Sequence, residues 1–162
     1  MAITTKLSDL VFGTPISNIE VPEHLNRTCE TGVNFVDDAM GGSGFTPSSV
    51  TLFTGEPGAG KTTMVLTIAS AVAKQHKKAM CVFNTAEESL FQIKKTTNRL
   101  RLKGDFLTGN STEIDDVIAG CRQLQEAAPE KQLFLVIDSL QQMNATHDRY
   151  GRGYRSDSLV LE

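Results

Sequence analysis

Val50-Thr51-Leu52-Phe53-Thr54, followed at once by Gly55-Glu56-Pro57-Gly58-Ala59-Gly60-Lys61-Thr62, decides the fold of this chain. The first five residues are β-rich and apolar and stop at a glycine, so they read as a buried strand. The next eight satisfy G-x-x-x-x-G-K-[ST] at every fixed position. A loop that wraps phosphate must aim several backbone N–H groups inward, and bulky side chains would block that approach. Beyond it Val65, Ile68, Ala69 and Val72 recur at helical spacing, predicting a helix from about Thr62 to His76. Strand, glycine loop and helix in that order form a phosphate-binding unit, with the helix contributing free N–H groups and the positive end of its dipole. Lys61 is then placed for the β and γ phosphates, and the Thr62 hydroxyl for Mg²⁺.

Outward from this unit the alternation continues. Ala79 to Phe83 predicts a strand, Ser89 to Leu102 a helix opened by a serine cap, and Asp105 to Thr108 a small strand. Ser111-Thr112-Glu113 opens a further helix with Ile114, Val117, Ile118, Cys121 and Leu124 on one face, closed by Pro129. Leu133-Phe134-Leu135-Val136-Ile137 is the uninterrupted apolar run of a strand covered on both faces. The fold class is therefore α/β, a parallel sheet with helices on both faces. Upstream, residues 1–30 with Pro15 and Pro22 read as an extended leader, and Thr31 to Met40 as a short helix broken by Gly41, Gly42 and Gly44. The expected domain proper is 31–162.

Composition narrows the function classes. With 162 residues there is room for one domain, and 40% hydrophobic against 22% charged residues argues against disorder. The net charge of -3, from 16 Lys+Arg and 19 Asp+Glu, offers no global field for nucleic acid, so any such contact needs a local patch. Cys29, Cys81 and Cys121 are widely spaced and match neither a zinc site nor a disulfide framework; buried thiols are expected. No run approaches the roughly 18 apolar residues of a membrane span, and no signal peptide is visible, so no membrane partner and a cytoplasmic location are expected. His24, His76 and His147 have no metal-ligand spacing.

Asp138 ends the Leu133–Ile137 run and so reaches the carboxyl edge of the sheet beside the phosphate loop, where a nucleotide enzyme places a second Mg²⁺ carboxylate. Glu87 and Glu88 follow the Ala79–Phe83 strand to the same edge, where one of them could orient the water that attacks the γ phosphate; the pair could equally favour a helix dipole and do no more. Two basic stretches stand out: Lys94, Lys95, Arg99, Arg101 and Lys103, and Arg149-Tyr150-Gly151-Arg152-Gly153-Tyr154-Arg155. The first reads mainly as a solvated helix face, as most such runs do, with DNA contact the lesser reading; the second suits phosphate contact and base stacking, and is also readable as a polar loop.

Together these pieces resemble the RecA superfamily of ATPases, and within it the bacterial RadA (Sms) recombination and repair family. The resemblance rests on Thr31-Gly32-Val33-Asn34-Phe35-Val36-Asp37 with Gly41-Gly42, on Gly55 to Thr63, on Ala86-Glu87-Glu88-Ser89 with Gln92-Ile93-Lys94 and Arg99-Leu100, and on Leu135-Val136-Ile137-Asp138-Ser139-Leu140-Gln141. It implies an ATP-binding, DNA-dependent ATPase core with ATP and Mg²⁺ as cofactors. The nucleotide would lie on Gly55, Glu56, Pro57, Gly58, Ala59, Gly60, Lys61, Thr62 and Thr63, Thr62 and Asp138 would hold the metal, and Glu87 and Lys61 would be catalytic. DNA, single-stranded or branched, would be a partner, with either a homo-oligomer or a missing C-terminal segment completing the domain. The alternatives are a nucleotide-binding module without efficient hydrolysis, and a signalling or clock-type member of the superfamily. The family's four-cysteine zinc ribbon, its Lys-Asn-Arg-Phe-Gly motif and its protease-like domain have no counterpart in these residues. In RecA-like folds the strand following the Asp138 strand lies between it and the phosphate-loop strand. No convincing candidate follows Asp138, since Ser158-Leu159-Val160-Leu161-Glu162 is short, so this part of the sheet is expected to be missing. The Val50–Thr54 and Leu133–Ile137 strands are then expected not to hydrogen-bond directly.

Overall fold

The computed structural model describes residues 13–145 and the backbone pairing of 154–155. Helix α1 is Asn34–Ala39 and α2 is Lys61–Gln75. The central elements then follow as β1 Ala79–Thr85, α3 Leu90–Arg99, β2 Leu107–Gly109, α4 Ile114–Ala127 and β3 Gln132–Asp138. A two-residue ribbon, β4 Asn144–Ala145 antiparallel to β5 Tyr154–Arg155, comes after. The sheet is parallel with order β2-β1-β3, so α3 carries the chain one way from β1 and α4 carries it back past β1 to β3. Right-handed crossovers in opposite directions put helices on opposite faces.

Two apolar clusters follow from that arrangement. On one face Leu66, Ile68, Ala69 and Val72 of α2 pack with Cys81 and Phe83 of β1 and Ile93 of α3, against Phe134 and Val136 of β3. On the other, Val117 and Cys121 of α4 and Met143 pack against Leu133, Leu135 and Ile137. The alternate residues of β3 thus serve opposite faces, as the period of two requires. Phe83 and Leu66 are fully buried, each worth about 1.5–3 kcal/mol in apolar area. The edge-to-face pair Phe45–Phe134, 5.2 Å between centroids, brings the segment after α1 onto β3.

Several boundaries agree closely with the sequence expectation. Ser89 caps α3 through a capping box with Gln92, and α4 stops two residues before Pro129. On α4 the apolar face is narrower than its pattern suggested, because Ile118 is 40% exposed while Val117 and Cys121 are buried. The leader is not uniformly extended: Ile16–Asn18 and Glu23–Asn26 form 3₁₀ turns. All three cysteines are free and buried, and burial pushes the Cys81 thiol up to about 12 and Cys29 to about 11.

One expectation is overturned. Val50–Thr54 is not a buried strand: it pairs with nothing in the sheet, and Val50 is 99% and Leu52 65% exposed. The physical reason is the absence of a ladder partner. Among the described residues β3 hydrogen-bonds on its β1 side alone, so the β-rich run has no neighbouring backbone to pair with and no surface to cover it. The accompanying expectation, that this run does not bond β3 directly, agrees with the three-stranded sheet.

The segment before α1 is held instead by a buried carboxylate. Asp37 Oδ1 accepts from Thr31 N at 2.8 Å and Thr31 Oγ1 at 2.9 Å, and Oδ2 accepts from Gly32 N at 2.8 Å. Gln75 Nε2 at the end of α2 donates to Thr31 O at 3.1 Å, tying this turn to the main helix. Burial raises the Asp37 carboxyl, but the hydrogen bonds from Thr31 and Gly32 outweigh it, and the net shift is downward. A depressed pKa contributes stability above the unfolded carboxylate value of about 3.9, and that stability is lost as pH falls through the lower folded value. Asp37→Asn, which keeps the shape but loses one acceptor and the charge, should cost about 1.5–3 kcal/mol at pH 7 in urea unfolding. The difference from the parent should shrink as the pH is taken below about 4; a pH-independent difference would refute the ionised role.

Candidate functional site

The site is assembled by the β1–β3 register. Thr85 lies opposite Asp138 at the carboxyl ends of the two strands, and Ala86 N donates to Asp138 O at 2.8 Å. The Thr85 side chain fixes the turn beyond β1: Glu88 N donates to Thr85 Oγ1 at 3.0 Å, and the same hydroxyl donates to Glu88 O at 2.8 Å. With the turn held in this way Glu87 is exposed and reaches across to β3, where Ser139 Oγ donates to its Oε1. Glu88 turns elsewhere, lining an open groove of about 540 Å³ with Gln92, Lys95, Thr96 and Arg99 of α3. The two glutamates are thus placed differently, with Glu87 toward Ser139 and Asp138 and Glu88 on the α3 groove.

The glycine loop supplies the other wall. Gly58 and Gly60 have φ of +79° and +89°, a backbone region that excludes most side chains, and no atom lies within 4 Å of where their Cβ would be. Gly60 is the N-cap of α2 and no side chain caps that terminus, in contrast to the boxed N-terminus of α3. An uncapped first turn leaves N–H donors for an anion. Lys61 Nζ folds back onto the loop, donating to Gly55 O at 2.7 Å and Glu56 O at 3.0 Å.

Loop and sheet edge face each other at Thr62 and Asp138. Burial raises the Asp138 carboxyl above the usual range, the Thr62 hydroxyl beside it opposes this, the Glu87 carboxylate adds to it, and Lys61 pulls back down. Lys61, Thr62, Glu87 and Asp138, expected separately from the sequence, therefore belong to one electrostatic neighbourhood. Sequence reasoning missed Thr85 and Ser139. Both flank residues it had singled out, and a hydroxyl next to a strand-end carboxylate was the available signal. Of the second basic stretch, all but Tyr154 and Arg155 lie outside the described residues, as do His147 and Ser158–Glu162.

A family model described as "ATPase: KaiC" matches residues 29–148. The chain belongs to this family. KaiC-like ATPase domains are RecA-superfamily domains, so the fold is a RecA-like P-loop fold, in keeping with the three-stranded parallel sheet and its flanking helices. The chain is similar to the DNA repair protein RadA of Escherichia coli, 36% identical over 145 residues, 89% of this chain and 27% of that protein. The Campylobacter jejuni RadA is 35% identical over 141 residues, 86% of this chain and 28% of the relative. That of Mycobacterium tuberculosis is 32% identical over 137 residues, 82% and 26% respectively. The chain thus spans about a quarter of the length of these curated relatives. Among the described residues no helix is long and apolar enough to cross a membrane.

The geometry of the KaiC-like domain makes Thr85 the fixture on which the glutamate depends. Thr85→Val keeps the branched shape in the buried strand but leaves the Glu88 N–H without its acceptor. A stability loss of about 1–3 kcal/mol is expected, with faster amide exchange at Glu88. Unchanged exchange would mean that the hydroxyl does not hold the turn.

Proposed function

We propose that the chain is the ATP-binding and hydrolysing core of a DNA-linked RecA-superfamily ATPase. The observation that carries the reading is the meeting of an uncapped, glycine-preceded α2 terminus with the Thr62–Asp138 contact and Glu87. The residues present fit a magnesium polyphosphate: free helix N–H groups and a lysine for the anion, a hydroxyl and a carboxylate in mutual contact for the cation.

In this reading the backbone of Gly55 to Thr63 cradles the phosphates, and Lys61 exchanges its two loop carbonyls for phosphate oxygens. Thr62 and Asp138 would hold Mg²⁺, which supplies charge neutralisation to the phosphoryl group when bound. Glu87 accepts a proton from the attacking water, and Ser139 holds the carboxylate in line until then. Thr85 acts through the turn and positions Glu87. The resemblance to proteins described as DNA repair proteins supports DNA as the partner; self-association and a cytoplasmic location belong to the same proposal. The clock-type alternative is not favoured, since the curated relatives carry the DNA repair description.

Lys61→Ala should reduce ATP affinity or turnover at least tenfold, about 1.4 kcal/mol, in nucleotide titration and phosphate release. Parent-like behaviour would remove the site assignment. Glu87→Gln should leave ATP binding within about twofold and lower turnover by about a hundredfold or more, whereas Glu88→Gln should leave turnover near parental. Equal losses in the two variants would contradict the separate roles. A parent that binds Mg-ATP but shows no turnover, with or without DNA, would favour the binding-module alternative.

A further inference from the structure

Between Ser89 and Gly104 the chain carries five cations, Lys94, Lys95, Arg99, Arg101 and Lys103, and no acid. This local excess stands out in a protein whose net charge is -3. Its geometry is organised by α3. Ile93 is the buried residue of that helix, 2% exposed, and faces the core with α2. On the opposite side Phe91 is 88% exposed, with Lys94 and Lys95 three and four residues on, and Arg99 in the next turn, all exposed. Among the described residues the sole salt bridge joins Arg27 and Glu23, so none of these five cations is held in an ion pair, although Glu88 shares a groove with Lys95 and Arg99.

Two further observations argue against an idle solvated helix. Arg101 adopts φ of +54° just past the end of α3, the position where glycine is strongly favoured, so the charged side chain is kept at a backbone cost. The segment that follows is pinned: Gly104 N donates to Ser70 Oγ of α2 at 2.9 Å, and a Cβ at Gly104 would fall 1.7 Å from Ser70 O. The end of the cationic segment is thereby fastened to the main helix at Gly104.

We infer that the outer face of α3, with Phe91 flanked by Lys94, Lys95, Arg99 and Arg101, is a contact surface for single-stranded nucleic acid. The cations would take successive phosphates and Phe91 a base face. An exposed aromatic ring among unpaired cations is the chemistry by which single strands are held without sequence preference. A polyanion with accessible flat rings matches both halves of the patch, whereas an acidic protein would use the charges and leave the ring in water. The inference deepens the DNA partnership proposed above and rests on it; it is separable from the nucleotide site, which lies at the other wall of the Glu87 turn.

The test is fluorescence anisotropy of a labelled thirty-nucleotide oligo-dT with the full chain at low salt, with binding of a fluorescent ATP analogue measured on the same samples. The parent should bind, and its affinity should fall with added salt. The double variant Lys94→Glu/Lys95→Glu should weaken oligo-dT at least tenfold and flatten the logarithmic salt slope by about 1.4, from ~0.7 per phosphate contact. Phe91→Ala should weaken it about fivefold or more without altering the salt slope. Lys131→Glu, distant in sequence, should bind as the parent does, and all variants should keep nucleotide affinity. If the α3 variants bind oligo-dT like the parent, or if the parent binds the nucleotide analogue but no oligo-dT, the inference is overturned while the ATPase reading stands. If Phe91→Ala abolishes self-association in sedimentation and leaves oligo-dT binding intact, the face is an interface between copies and the inference is equally overturned.

Discussion

The parallel ladder between β1 and β3 is the constraint on which the site depends. Seven residue pairs run from Ala79↔Gln132 to Thr85↔Asp138, and the last pair sets two strand ends level. Because side chains alternate along a strand, a one-residue slip would send Phe134 and Val136 to the α4 face and Leu135 and Ile137 to the α2 face. It would also carry Asp138 away from Thr62 and Glu87 from Ser139. The two apolar clusters thus fix the register, and the register fixes the chemistry. Core packing and the placement of Glu87, Asp138 and Ser139 are one requirement here rather than two.

The phosphate loop depends on that ladder at one remove. It is fastened at its far end by α2, whose apolar stripe lies on β1 and β3, while Val50–Thr54 ahead of it pairs with no strand. Its own geometry comes from local chemistry: positive φ at Gly58 and Gly60, and a lysine bonded to the loop's carbonyls. The Thr62 contact to Asp138 is then the joint between a helix-mounted wall and a sheet-mounted wall. On this account nucleotide affinity and helix docking are coupled, because the free N–H groups that receive phosphate belong to the helix that closes the core.

Much of this was legible in the residues, for identifiable reasons. The helical spacing of Val65, Ile68, Ala69 and Val72 and the apolar run at Leu133–Ile137 carry their own periodicity, so α2 and β3 were readable. The G-x-x-x-x-G-K-T spacing located the loop because few other functions demand it. Val50–Thr54 misled because β propensity reports what a segment prefers once a neighbour exists, and pairing is non-local. The different placement of Glu87 and Glu88 was likewise hidden. It is made by the Thr85 hydroxyl and by Ser139 just past β3, and no local pattern encodes a contact across 52 positions.

The claim that two walls meet at one Mg-ATP site is tested most directly by a double-mutant cycle on Mg-ATP affinity. Thr62→Ala, Asp138→Ala and the double variant are titrated with ATP in the presence and absence of Mg²⁺. If the two residues hold one cation together, the combined loss falls short of the sum of the single losses by at least about 1 kcal/mol, and only when Mg²⁺ is present. Strict additivity, or the same coupling without Mg²⁺, would contradict a shared metal site at the Thr62–Asp138 joint.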